Sequence, residues 1–134
     1  MLKFFPHHTG CVSKKTASAL SQGQFVKLDT DTDYVITSTT QGDNAMIGTV
    51  LEDVSIPSGA SFADVTVVVF GLGPVKLNGS ISAGSWVQES TTAGRAEAIG
   101  AVGGTNYNAK AFLLEGGASG DVVTGLIMPS RPQG

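Results

Sequence analysis

The side chains able to do chemistry are few and poorly grouped. The two histidines, His7 and His8, are adjacent. On extended backbone neighbours point to opposite sides, so the pair cannot close on one metal ion. Cys11 is the only cysteine; zinc would lack ligands, and an intrachain disulfide is impossible. A Ser-His-Asp or Cys-His triad needs a histidine held in a rigid site, and His7 and His8 lie in a stretch without periodicity. Asp29, Asp31 and Asp33 alternate in DTDTD like the opening of a calcium loop. An EF-hand would then need glycine sixth and glutamate twelfth, where Tyr34 and Thr40 stand. A solvated turn is the better reading. GLGPVKLNG and GAVGGT are glycine-rich, but no helix follows either to aim amides at a phosphate. Glu89, Glu97 and Glu115 are scattered carboxylates with no visible partner. The expectation is a protein that is not an enzyme and holds no cofactor or metal.

The elements that would have to position such groups are strands. Glycine contributes 18 of 134 residues, about twice its ordinary share of ~7%, and charged residues only 14% against a usual ~25%. That profile fits many short strands joined by tight turns. A net charge of −3 supplies no basic footprint for nucleic acid. Apolar runs fall short of the ~18–20 residues that span a bilayer. Leu2, Phe4 and Phe5 before Pro6 are too short for a signal-peptide core, so a soluble chain without a Sec-type signal is expected.

The text turns β at Gly23. Short strands are predicted around 25–28, 34–37, 46–51, 75–77, 96–102, 111–114 and 122–128, with another starting at Trp86-Val87 and DVTVVVF as the most apolar. Its Val65, Val67 and Val69 share one face and Thr66, Val68 and Phe70 the other, which predicts a central strand. Gly71 and Gly73-Pro74 are expected to break it, and Asn78-Gly79 to make a hairpin turn. The predicted architecture is all-β: a compact sandwich or barrel of about nine or ten short strands with pseudo-duplicated halves, plus an extended N-terminal arm. Residues 1–20 form the arm, 21–129 the β domain and 130–134 the C-terminal tail.

The halves repeat one another. GQFVKL (23–28) is echoed by GSWVQE (84–89), MIGTV (46–50) by AIGAV (98–102), and GASFADVTVVVF (59–70) by GASGDVVTGLIM (117–128). The three elements keep their order, as in a duplicated unit whose loops have diverged. The repeat is read as 21–71 and 82–129. Phe25 and Trp86 are predicted to be equivalent core anchors, packed with Val67, Val69, Val122 and Leu126.

These motifs, Gly23-Gln24-Phe25-Val26, Ile47-Gly48-Thr49-Val50, Gly84-Ser85-Trp86-Val87, Ile99-Gly100-Ala101-Val102 and Gly120-Asp121-Val122-Val123, together with LNGSISAGSWV, resemble the capsid decoration (cement, head-stabilising) proteins of tailed bacteriophages. The likeness covers roughly residues 17–128. It departs at Gly125–Met128, where that family tends to alternate valines. The resemblance implies a structural virion protein on the capsid exterior, made in the host cytoplasm, clamping adjacent major capsid protein subunits. Its partners would be the major capsid protein and itself, a homotrimer favoured and a dimer possible, with no nucleic acid and no membrane. The arm offers Leu2, Phe4, Phe5, His7, His8, Lys14 and Lys15 as candidate capsid contacts. An alternative is a head-fibre or host-binding β module, with Trp86, Tyr34 and Tyr107 as a sugar-stacking platform. A β nucleotidohydrolase of similar length is a third reading, without the acidic and basic residues it would need.

Overall fold

The computed structural model describes residues 9–40, 45–99 and 109–128. Among these there are nine strands and no helix: β1 (Thr9–Thr16), β2 (Phe25–Leu28), β3 (Val35–Thr37), β4 (Met46–Val50), β5 (Ala63–Lys76), β6 (Trp86–Glu89), β7 (Ala96–Ala98), β8 (Ala111–Leu113) and β9 (Val122–Ile127). All belong to one sheet in the order β3-β2-β4-β5-β9-β8-β6-β7, with β1 also paired to β5 and every strand ladder antiparallel. The sheet is not closed into a barrel. The fold is all-β, as composition and turn chemistry lead one to expect.

The apolar DVTVVVF run is central, because both of its faces find cover. Val65, Val67 and Val68 are buried, β4 pairs with one edge at Val67 and Val68, and β1 with the other. The expected break at Gly71 and Gly73-Pro74 does not occur; β5 runs on to Lys76 and pairs there with β9. Pro74 is tolerated because, among the described residues, no strand pairs with β5 on the side away from β9 at that point. Asn78-Gly79 makes no hairpin. The chain leaves β5 there to bridge Ile81 with Gly117 and reach β6.

Residues 9–16, expected as arm, are strand β1 along the edge of β5, from Thr9↔Gly71 to Thr16↔Ala63. Its sequence hides the strand because its buried positions are polar: Thr16 is fully buried and Lys14 half-buried. Leu2, Phe4, Phe5, His7 and His8 lie outside the described residues.

The two halves share pairing registers and several backbone hydrogen bonds. Val26↔Thr37 and Leu28↔Val35 in the first recur as Val87↔Ala98 and Glu89↔Ala96 in the second, 61 residues on. Gly23 N–H donates to Val50 C=O (2.8 Å) as Gly84 N–H does to Leu113 C=O (2.8 Å), and the Leu20–Val54 bridge recurs as Ile81–Gly117. The equivalence reaches upstream of residue 21. β1 lies on the first half of β5 as the second half of β5 lies on β9: Lys15↔Asp64 matches Lys76↔Val122, and Val12↔Val67 matches Gly73↔Gly125. Unit 1 therefore spans 12–70 and unit 2 spans 73–128, and β5 is the last strand of one fused to the first strand of the other.

One of the three sequence matches is thereby corrected. The partner of β4 is β8, since Phe25↔Thr49 corresponds to Trp86↔Phe112. The Ile-Gly phrase at 98–102 is not its equivalent: Ala98 ends β7 and residues 100–102 lie outside the described residues. Gly48 answers instead to a local need. A Cβ there would stand 2.0 Å from the Val68 carbonyl oxygen, beside the bulge at Val26/Lys27.

Two apolar clusters hold the units. Leu20, Val26, Val35, Val50, Val65 and Val67 form the core of unit 1. Their equivalents Ile81, Val87, Ala96, Leu113 and Val123 form the core of unit 2, and Phe25, Met46 and Val68 of unit 1 join that same cluster. Unit 2 thus covers a face of unit 1.

Candidate functional site

Three of the candidate carboxylates, Asp29, Glu89 and Glu115, have structural partners, while His7 and His8 lie outside the described residues. Asp29 closes its own turn: Oδ1 accepts from Asp31 N–H (3.1 Å) and Oδ2 from the Thr32 hydroxyl (3.0 Å). Among the described residues no three His, Cys, Asp or Glu side chains converge on a metal-sized point. Glu89, without a visible partner in the sequence, is fully buried and its Oε2 lies 3.8 Å from Lys110 Nζ, itself fully buried. Lys110 escaped the sequence reading because nothing in the local text joins it to a residue on β6. Glu115 Oε1 accepts from Thr124 N–H (3.0 Å), and hydrogen bonds from the Thr124 side chain and backbone hold its pKa below the ordinary glutamate value.

The distinctive surfaces are the two ends of the repeat. In unit 1 the row Phe25–Thr49–Val68, paired strand to strand across β2, β4 and β5, is 0% exposed throughout. Its equivalent in unit 2 is Trp86–Phe112–Leu126, continued by Leu72 on β5. Trp86 is 48%, Leu126 39% and Leu72 41% exposed, with Phe112 half-buried. Trp86 and Phe112 pack edge-on, ring centroids 5.0 Å apart. So Trp86 and Leu126 are not core anchors. The positions match Phe25 and Val68, but among the described residues nothing covers them as unit 2 covers unit 1. Phe25 and Val67 are fully buried, while Val69 and Val122 are half-buried.

Hydrogen bonds join unit 1 to unit 2. Lys76 N–H donates to Gly23 C=O (2.9 Å), Phe25 N–H to Gly94 C=O (2.7 Å), Gly94 N–H to Ser38 C=O (2.7 Å) and the Gln24 amide to Ala93 C=O (3.1 Å). The Gly23–Phe25 edge of unit 1 is thus a plug, seated in a socket made by β5 and the turn at 90–95 of unit 2. The same socket in unit 1 would be made by β1 and the turn at 29–34. There an open cleft of about 370 Å³ is lined by Ser13, Lys14 and Lys15 of β1, Thr32 to Tyr34 of the turn, and Asp64 of β5. Lys14 and Lys15 therefore belong to this cleft. Lys15 Nζ also sits 4.4 Å from the centre of the Phe62 ring, and Tyr34 packs on Phe62 at 6.1 Å. Trp86 packs with Phe112 in the other unit, so Tyr34 and Trp86 sit in separate aromatic pairs, and Tyr107 lies outside the described residues.

No family model and no curated protein sequence matches the chain. Among solved structures the fold is similar to the N base of head fibre gp8.5 of bacteriophage phi29. The TM-score is 0.65 at 16% identity, covering 92% of this chain and 99% of that one. The likeness is one of fold and extends over nearly the full length of both chains.

Proposed function

We propose that the chain is a structural protein of a bacteriophage virion, carried on the outside of the head, where it binds the major capsid protein and clamps neighbouring subunits. The observation that carries this reading is the fold shared with a phage head-fibre base across nearly the whole of both chains. The decoration-protein resemblance of the sequence motifs points the same way. A surface clamp needs no catalysis. It needs interface, and ~1,000–2,000 Å² per site is enough when many copies act together. A compact sheet with few charges, 14% of residues, suits close packing against other protein. Self-association, a homotrimer rather than a dimer, is part of the reading.

The test is to add purified protein to isolated heads that lack it. Saturable binding, with heads made more resistant to heat and chelator, is the expected result. Heads that do not bind it, or that are equally resistant without it, would overturn the clamp.

A second reading, a host- or carbohydrate-binding module on the virion, draws on the exposed Trp86 beside Phe112. Glycan binding that disappears in Trp86→Ala with the fold intact would favour it.

A further inference from the structure

Unit 1 and unit 2 are copies of one design, joined plug into socket. One plug and one socket are left over. The spare plug is Gly84–Ser85–Trp86, the equivalent of Gly23–Gln24–Phe25. The spare socket is the cleft between β1 and the turn at 29–34, the equivalent of the surface that receives Gly23–Phe25. We infer that the two belong together: the Trp86 edge of one copy seats in the Ser13–Lys15 cleft of a second copy, repeating between chains the joint that links the units within a chain.

Three observations on different parts of the molecule support this. The first is the exposed row. A stripe of Trp86, Phe112, Leu126 and Leu72 is apolar across four strands, and its equivalents Phe25, Thr49 and Val68 are wholly buried where the next unit covers them. Large aromatics with a half-exposed face beside a backbone edge are the usual anchors of a protein joint. The second is the shape of the cleft. Its lining residues Ser13, Lys15, Thr32, Asp33 and Asp64 stand at the positions of Pro74, Lys76, Ala93, Gly94 and Val122 in the filled socket. Among the described residues nothing fills the cleft.

The third is a shared backbone shape at the turn that receives the plug. Gly94 has φ 69°, and a Cβ there would stand 2.8 Å from the Gln24 Cβ and 3.0 Å from the Phe25 carbonyl oxygen. Its equivalent, Asp33, keeps the same left-handed backbone at φ 60° and is the only non-glycine among the described residues to do so. The residue that would face it from another copy is Ser85, which keeps the Cβ that Gln24 presents, so the two edges must sit slightly farther apart than they do within the chain. The backbone bonds of the joint follow from the internal one: Lys15 N–H to Gly84 C=O, Trp86 N–H to Asp33 C=O, and Asp33 N–H to Ile99 C=O. Aspartate in the left-handed region also carries a conformational cost, tolerable where that backbone shape has a task.

Such a contact joins unlike faces, so repeated it closes into a ring or runs on as a filament. The joint would form in solution whether or not the chain sits on a capsid.

The test is sedimentation of the full chain with one variant at each side of the joint. Trp86→Ser removes the plug's anchor from a position already half exposed, and Ser13→Tyr fills the cleft with a strand-compatible side chain. Far-UV circular dichroism and the thermal midpoint report that each is folded; Asp64→Arg is the second variant for the cleft. Wild type should sediment as two or more copies at about 100 μM, a concentration that populates any micromolar contact. Each variant alone should be monomeric, its joint weakened roughly 30-fold or more. Mixed, the two variants should form a one-to-one complex that grows no further, since the mixture has one intact plug and one intact socket. A monomeric wild type, with Trp86 covered by the chain's own residues or by nothing, would overturn the inference. So would variants that assemble like wild type, or a mixture that fails to pair.

Discussion

Unit 1 and unit 2 share pairing registers and several backbone hydrogen bonds, yet the same row of positions is sealed in one and open in the other. Phe25 is wholly buried, while Trp86, its equivalent, is half exposed. The difference does not arise inside either unit. It arises because unit 2 follows unit 1 along the fused strand β5 and covers its face, while nothing among the described residues does the same for unit 2. Burial in a repeat is thus a property of the neighbour as much as of the position.

The largest expected effect breaks the comparison at its anchor. Phe25→Ala should cost about 3–5 kcal/mol of stability, because it empties a closed site between the units. Trp86→Ala should stay within about 1 kcal/mol when measured at a concentration that keeps chains apart. Denaturant unfolding of both variants decides it; equal losses would mean that the two rows are equally buried.

A second contrast lies at β4 and β8. Gly48→Ala should destabilise by about 2–3 kcal/mol, since the new methyl meets the Val68 carbonyl oxygen. Ala111→Gly, at the equivalent position, should cost only about 1 kcal/mol, mainly through the freedom gained by the unfolded chain. The same unfolding measurement reads both.

A third concerns the left-handed turn position. Gly94→Asp should cost about 2 kcal/mol, from both strained backbone and contact with Gln24. Asp33→Gly should stay within about 1 kcal/mol of wild type, because glycine adopts that backbone freely and its added unfolded-state freedom offsets the gain.

The smallest effect belongs to Glu115. Hydrogen bonds from Thr124 depress its pKa in the folded state, so its contribution is present above the unfolded glutamate pKa and fades as pH falls through the lower folded value. Glu115→Gln should flatten that acid limb slightly and leave stability at neutral pH almost as it was. Thermal midpoints across the acid range would show it.

Much of this architecture was readable in the sequence, and the failures have physical causes. The glycine-punctuated β text gave the fold class, and the Gly-x-aromatic-Val phrase marked β2 and β6 as equivalents. β1 was missed because its inward positions, Lys14 and Thr16, are not apolar, so no alternation shows. The Ile-Gly match misled because Gly48 reflects one close backbone approach, not a position of the repeat. Trp86 was read as core because a strand phrase records which residues face outward from a unit, not what lies beyond it. The ion pair of Lys110 with Glu89 joins residues far apart in the text, and the spare cleft at Ser13–Lys15 depends on a strand that the sequence disguised.

The most direct measurement of the spare-joint claim is a disulfide across it. Cys11→Ser gives a thiol-free background. Ser85→Cys is placed in one chain and Asp33→Cys in another. In the internal joint the corresponding Cβ positions are 2.8 Å apart, close enough that a small shift reaches the ~3.5–4.5 Å of a disulfide. The expected result is rapid oxidation to a linked pair when the two chains are mixed, and no linkage within either preparation alone. Linkage of Ser85→Cys chains to one another, or none in the mixture, would contradict the head-to-tail joint.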